Sequence, residues 1–342
     1  MDSETNPLAV IGAGSWGTTL AQLLSDRGLS VRLWVFEEEV YRELCRDRVN
    51  HTFLPGVRLS GRVSFTRDLA GAVELAGVVL MAVPSHVFRP VLRALKPHWP
   101  AGGVLLSAAK GLEIDSLLTM EGVAREELGP EVPYAALSGP SFAREVALKQ
   151  PTAVTLASRQ REVALNLQRL CSAPYFRIYT SHDVTGVELG GALKNIFAIG
   201  AGILEGMGLG DNPRAALITR GLAEMTRLGA RLGANAMTLV GLAGLGDLIL
   251  TCTSPQSRNF QVGVKLGQGA PLSDILAGMA MVAEGVKTSR AAHLLAARLG
   301  VEMPLVTAVY RILYEELAPR DAIKKLMSRE QKDELEAMTE TW

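Results

Sequence analysis

Four apolar residues, Leu8-Ala9-Val10-Ile11, run straight into Gly12-Ala13-Gly14-Ser15-Trp16-Gly17 and then into a helical apolar pattern at Leu20, Leu23 and Leu24. No other stretch restricts the fold of this chain as tightly. The apolar run reads as a buried parallel strand. In a Gly-x-Gly-x-x-Gly turn the three glycines act differently. Gly12 permits the tight turn, Gly14 lets backbone approach a pyrophosphate, and Gly17 lets helix and strand pack closely. The N–H groups opening the helix then face the phosphates. A second apolar strand, Val31 to Phe36, follows at once, so the context the motif requires is met. The end of that strand meets the adenosine ribose in a dinucleotide fold, which makes residues 36 and 37 the place where cofactor choice is influenced.

Further strands read from the chain in order: Gly77 to Pro84, Val104 to Ser107, Tyr134 to Ser138, Ala153 to Ala157 and Phe176 to Tyr179. Two of them end in polar or small residues of interest, Lys110 after the fourth and Gly139-Pro140-Ser141 after the fifth. Ligands gather at the C-terminal edge of such sheets. Past about residue 182 strand-like runs disappear, and apolar residues recur at spacings of three and four. The fold class expected is α/β, with an N-terminal Rossmann-like doubly wound sheet (1–182) followed by an all-helical C-terminal domain (183–342). At 342 residues two domains also agree with length alone. Asn212-Pro213 reads as a helix start, and the charged tail 328–342 as an exposed helix or a disordered stretch.

Composition removes several functions. Lys+Arg and Asp+Glu balance at 35 each, so no overall field favours nucleic acid or an anionic surface. Cys45, Cys171 and Cys252 lack metal-ligand spacing and read as reduced thiols. The five histidines are scattered, and no metal is expected. Residues 1–7 lack a signal-peptide pattern, and the apolar stretches 196–205 and 236–251 are too short to span a bilayer. A cytoplasmic protein is expected.

Three positions in the second half carry chemistry. Lys194 lies in Gly190-Gly191-Ala192-Leu193-Lys194-Asn195-Ile196-Phe197, with the two glycines one turn back on its own helix face. Small residues there clear space above the helix, and the apolar surroundings desolvate the amine. That lowers its pKa and suits it to proton transfer. Asp247, in Leu242-Ala243-Gly244-Leu245-Gly246-Asp247-Leu248-Ile249, is a carboxylate in an apolar run and needs a partner. Lys194 is one candidate, and a helix cap is the alternative. Arg258, within Ser257-Arg258-Asn259, has the forked guanidinium that phosphate recognition uses, in a segment that reads otherwise as a polar loop.

With these residues in view, the chain resembles the bacterial-type NAD(P)-dependent glycerol-3-phosphate dehydrogenases. The resemblance runs from about residue 8 to 327. It rests on Gly12 to Gly17, Ala109-Lys110-Gly111, Ser138 to Ala143, Gly190 to Asn195, Gly210-Asp211-Asn212, Ile218 to Leu222, Gly246-Asp247-Leu248 and Ser257-Arg258-Asn259. It implies interconversion of dihydroxyacetone phosphate and sn-glycerol 3-phosphate, feeding phospholipid synthesis. It also implies Lys194 as the proton donor and acceptor, and Asp247 is counted with it as a catalytic residue. The substrate residues implied are Lys110, Gly139, Ser141, Lys194, Asp247, Ser257, Arg258 and Asn259. The cofactor residues implied are Ser15, Trp16, Lys110, Ala143, Arg258, Val282 and Glu284; the glycine turn itself adds Gly12, Gly14 and Gly17, and the end of the second strand adds Phe36. A homodimer is the candidate assembly. Where bacterial members commonly carry Arg or His, this chain has Trp34-Val35-Phe36-Glu37-Glu38, similar to the NAD-specific eukaryotic branch. NAD is therefore the favoured cofactor, with NADP also accepted and Arg32 and Arg42 the nearest cations that could serve it. Two other readings remain open: a related 3-hydroxyacid or ketopantoate-type reductase, and a catalytically silent NAD sensor.

Overall fold

The computed structural model describes residues 7–279, 283–331 and 333–334. The chain forms two units: Met1–Ala109 with Met120–Val184, and Lys110–Thr119 with Thr185–Trp342. Lys110 and the nine residues after it thus leave the first unit and pack with the second.

The first unit alternates strands and helices: β1 (Leu8–Ile11), α1 (Ser15–Asp26), β2 (Val31–Trp34), α2 (Glu38–Asp47), β3 (Val49–Asn50), β4 (Leu54–Arg58), β5 (Val63–Thr66), α3 (Leu69–Val73), β6 (Val78–Met81), α4 (Ser85–Leu95) and β7 (Val104–Ser107). It continues with α5 (Met120–Leu128), β8 (Tyr134–Ser138), α6 (Ala143–Ala147), β9 (Thr152–Ala157), α7 (Arg161–Cys171) and β10 (Phe176–Ser181). The eight-stranded sheet has the order β10-β9-β8-β7-β6-β1-β2-β5, and β3 and β4 form a separate antiparallel pair. Every pairing in the large sheet is parallel except β8 with β9. The chain leaves β1 toward β2 and β5, then returns to β6 on its other side. The glycine turn after β1 therefore sits at the topological switch point, where open α/β sheets leave a crevice. The strands are buried on both faces, with Ala9, Val10, Ile11, Leu33, Val79, Met81, Leu105 and Leu106 wholly inaccessible, as parallel strands covered by helices require. The second strand is shorter than its sequence suggests: β2 ends at Trp34, and Phe36 lies beyond it, 68% exposed.

The second unit is helical: α8 (Val184–Gly206), α9 (Asp211–Arg231), α10 (Ala236–Val240), a π turn (Leu242–Gly246), α11 (Asp247–Thr253), α12 (Arg258–Gly267), α13 (Leu272–Ala277), α14 (Glu284–Leu299), α15 (Pro304–Tyr314) and α16 (Pro319–Met327). Helix α9 begins at Asp211 after Gly210, so Asn212-Pro213 lies inside its first turn instead of marking its cap. The core gathers around α8, whose Leu189, Leu193, Ile196, Phe197 and Ile199 are fully buried. Each such side chain contributes about 1.5–3 kcal/mol by leaving water. At 23 residues α8 is long and apolar enough to cross a membrane by composition, longer than the run 196–205 visible in the sequence. Its apolar surface is instead consumed by the core, since the most apolar window is entirely buried. An apolar helix packed on all sides in this way is a core helix. Helices α8 and α12 touch backbone to backbone, because a Cβ on Gly202 would stand 2.0 Å from the Phe260 carbonyl oxygen and one on Gly263 2.1 Å from that of Ile199.

Candidate active site

In the first unit the turn after β1 has the shape a pyrophosphate needs. Gly12 adopts φ +109°, a conformation open to glycine, and a Cβ on Gly17 would meet the Gly12 carbonyl oxygen at 1.9 Å. At Gly14 nothing lies within 4 Å of a Cβ position, and Gly14 caps α1 with no side-chain bond to the first N–H groups. Ser15 and Trp16 are the first two residues of that helix, so their N–H groups have no partner within it. A buried anchor holds the turn from behind. Asn50 donates through Nδ2 to the Ala13 carbonyl (2.8 Å) and Thr18 Oγ1 (2.9 Å), and its Oδ1 accepts from the Phe53 N–H (2.9 Å). Nothing in the sequence singles out Asn50, which sits in a stretch that reads as an ordinary loop. Ala143 opens α6, and its carbonyl accepts from Thr19 Oγ1 at 3.1 Å, which ties α6 to α1. Gly139 adopts φ +145° against Val154, and Ser141 Oγ donates to its carbonyl at 3.0 Å.

In the second unit the two anomalous residues meet. Lys194, 7% exposed, donates through Nζ to Asp247 Oδ1, and Lys110 Nζ lies 2.7 Å from Asp247 Oδ2. Asp247 is wholly inaccessible and pairs with lysine; it is the first residue of α11 but not its cap, which is Gly246 with no side-chain bond, so the paired reading describes the structure and the cap reading does not. Gly190 explains how it gets there. A Cβ at 190 would stand 2.4 Å from the Ala243 carbonyl oxygen, so the space above α8 admits the π turn that delivers Asp247. Thr251 Oγ1 donates to the Asp247 carbonyl at 2.6 Å and steadies the turn. The sequence marked Lys110 as a site residue but not as a partner of Asp247. Lys110 stands 137 residues from Asp247 and belongs to this unit only because its segment departs from the sheet.

The electrostatics follow from burial. Desolvation pulls Lys194 down to about 8, against the attraction of Asp247, and the like charge of Lys110 adds to the fall. Burial raises the Asp247 carboxyl, but the two ammonium groups outweigh it and hold the group below its ordinary value. Two cations around one anion leave an excess positive charge in a dry corner. That arrangement suits an anionic ligand and an amine that releases its proton near neutrality.

Arg258 opens α12, whose N-cap is Ser257; Ser257 Oγ accepts from the Phe260 N–H at 3.2 Å. Asn259 donates through Nδ2 to Asn195 Oδ1 (2.9 Å) and accepts from the Gly285 N–H (2.9 Å). The start of α12 is thereby fastened to α8 beside Lys194 and to the start of α14. Burial lowers the Arg258 pKa, opposed by the charge of Glu284, the first residue of α14. The side chains of Ser257 and Asn259 thus help fix the start of α12, where Arg258 stands. Val282 lies outside the described residues. Among the described residues no group of histidine, cysteine and carboxylate side chains could hold a metal ion.

Residues 7–164 match the model of the N-terminal region of NAD-dependent glycerol-3-phosphate dehydrogenase, and residues 183–324 match that of its C-terminal region. The chain belongs to this family. Glycerol-3-phosphate dehydrogenase [NAD(P)+] of Syntrophobacter fumaroxidans is 54% identical over 332 residues, covering 96% of this chain and 98% of the relative. The crystal structure of the Coxiella burnetii glycerol-3-phosphate dehydrogenase superposes with a TM-score of 0.92 at 42% identity, over 95% of this chain and all of that one. The Saccharomyces cerevisiae glycerol-3-phosphate dehydrogenase gives 0.81 at 28% identity, over 95% and 99% of the two chains. Family membership agrees with the glycine turn at the switch point and with a helical second unit.

Proposed function

We propose that this chain reduces dihydroxyacetone phosphate to sn-glycerol 3-phosphate, reversibly, with NAD as the favoured cofactor and NADP also accepted. The observation that carries the reading is the buried Lys110–Asp247–Lys194 group, in a chain whose relatives bear this activity in their names. The nicotinamide cofactor, when bound, would supply the hydride. The residues of the chain do the rest. Gly12, Gly14, Ser15, Trp16 and Gly17 receive the pyrophosphate through backbone N–H groups, and Phe36 offers its exposed ring to the adenine.

Lys194 in its ammonium form gives a proton to the alkoxide that develops on the carbonyl oxygen, and in its neutral form takes one from the hydroxyl in the reverse direction. Asp247 keeps the amine oriented and prevents burial from discharging it entirely. Lys110 adds positive charge for the substrate oxygens. Arg258 grips the phosphate with its fork, at the start of a helix held by the Asn259–Asn195 bond. The phosphate does not react, so its binding serves to position the carbonyl. Contact between Lys194 and Asp247 argues against a silent sensor, which needs neither.

The cytoplasm is the proposed compartment, supported by three unpaired thiols. A homodimer is the assembly that light scattering would test. Oxidation of NADH in the presence of dihydroxyacetone phosphate, ketopantoate and small 3-ketoacids decides the substrate. Turnover confined to the phosphorylated ketone supports the proposal, and preference for an unphosphorylated ketoacid overturns it.

A further inference from the structure

The C-terminal edge of β2 carries more positive charge than its sequence announces. Arg32 and Arg42 are the cations nearest to it along the chain. Arg32 is turned away: its Nη1 donates to the carbonyls of Gly71 (3.1 Å) and Glu74 (2.6 Å) on and just after α3. Arg42 pairs with Glu38 Oε1 at 2.5 Å. A third cation arrives from the neighbouring strand. The Val35 N–H donates to the Thr66 carbonyl at 2.9 Å, so Arg67, the next residue after β5, lies alongside Phe36. Its Nη1 reaches Glu38 Oε2 at 2.8 Å, its Nη2 the Phe36 carbonyl at 3.4 Å, and the Arg67 carbonyl accepts from Trp34 Nε1 at 3.1 Å. Arg42 first, and Arg67 with it, hold the Glu38 carboxyl below the usual carboxylate range. The negative charge expected of Glu38 against a phosphate is therefore matched by two guanidinium groups. Glu37 and Glu39 remain as acids beside them, and Glu37 makes no side-chain cap of α2.

The geometry points to Arg67 as the residue that reads the 2′-phosphate of NADP in this chain, with Glu38 as the internal anion that occupies it when NAD is bound. The inference rests on the reading of the chain as a dinucleotide-dependent dehydrogenase. A 2′-phosphate calls for a guanidinium at the end of the second strand. Here the segment after β2 supplies Phe36, and the guanidinium comes from the residue that follows the adjacent strand β5. The pairs are half exposed, at 45% for Arg67 and 53% for Glu38, so a dianionic phosphate can replace the carboxylate without dismantling a core. Occupation of Arg67 by Glu38 also accounts for NAD being favoured: NADP must displace an existing partner, and NAD need not.

The test is calorimetric titration of the full chain with NAD+ and with NADP+, for wild type and three variants. Arg67→Ala should weaken NADP+ roughly tenfold, the value of one charge-assisted contact at a half-exposed site, and leave NAD+ within about a factor of two. Arg67→Lys should restore part of the loss, since it keeps the charge and gives up the fork. Glu38→Gln should tighten NADP+ several-fold and make its affinity fall more steeply with salt, because both guanidinium groups are then released. Equal losses for both cofactors in Arg67→Ala, or no loss in either, would overturn the assignment. Failure of wild type to bind NAD+ at all would instead remove the dehydrogenase reading beneath it.

Discussion

Replacing Asp247 by asparagine keeps the shape of the side chain and deletes the one negative charge between two ammonium groups. Lys194 is held at about 8 by burial against the pull of Asp247. Without that pull, burial and the charge of Lys110 act unopposed. An opposite charge at contact distance raises the titration of an amine by roughly 1–3 pH units, so Lys194 should titrate well below its wild-type value in Asp247→Asn. Each unit of that fall costs the ammonium form about 1.4 kcal/mol. Reduction of dihydroxyacetone phosphate needs that ammonium form. The wild-type kcat should therefore fall as pH rises through about 8, and in the variant the same limb should move to lower pH. Oxidation of glycerol 3-phosphate needs the neutral amine and should show the opposite limb.

Stability reports the same titration. Lys194 folded lies below its ordinary 10.5, so between about 8 and 10.5 the unfolded chain binds the extra proton and stability rises with pH. In the variant that rise should begin at lower pH. Steady-state kcat across pH, with denaturant unfolding over the same range, measures both. An alkaline limb and a stability curve that stay where they are in Asp247→Asn would refute the argument that this carboxylate sets the proton affinity of Lys194.

Lys194→Met should lower kcat by about 10²–10⁴, the usual contribution of a positioned acid-base group, with NAD+ affinity by calorimetry unchanged. Near-normal kcat would remove Lys194 from proton transfer. Arg258→Ala should raise KM for dihydroxyacetone phosphate strongly while leaving the weak turnover of unphosphorylated dihydroxyacetone almost untouched. Equal losses on both would make Arg258 a structural residue. Gly190→Ala places a Cβ against the Ala243 carbonyl and forces the π turn outward. A loss of about 1–3 kcal/mol in denaturant unfolding is expected, accompanied by a fall in kcat because Asp247 moves with the turn. Wild-type stability in that variant would mean the contact is not tight.

The first unit was written in local sequence, because each of its signals is short-range. The run Leu8–Ile11 needs no partner to read as a buried strand, and Gly12, Gly14 and Gly17 declare a backbone geometry that side chains would obstruct. The helical texture after residue 182 was equally local, since spacing of three and four is a property of one helix. Lys194 and Asp247 were visible as charges in apolar runs for the same reason. That they pair with each other was a candidate the sequence could name but not choose, because pairing depends on distances that only packing sets. That Lys110 would join them required the segment Lys110–Thr119 to leave the sheet unit, and no local pattern marks that departure. Arg67 and Asn50 escaped notice because each acts on an element far away in sequence: a strand register brings Arg67 to Phe36, and a buried amide brings Asn50 to the glycine turn. Sequence by itself determined the elements and the residue types able to do the chemistry. Tertiary structure decided which charges share a carboxylate, and hence where Lys194 holds its proton, because desolvation and Coulomb interaction depend on burial and separation in space.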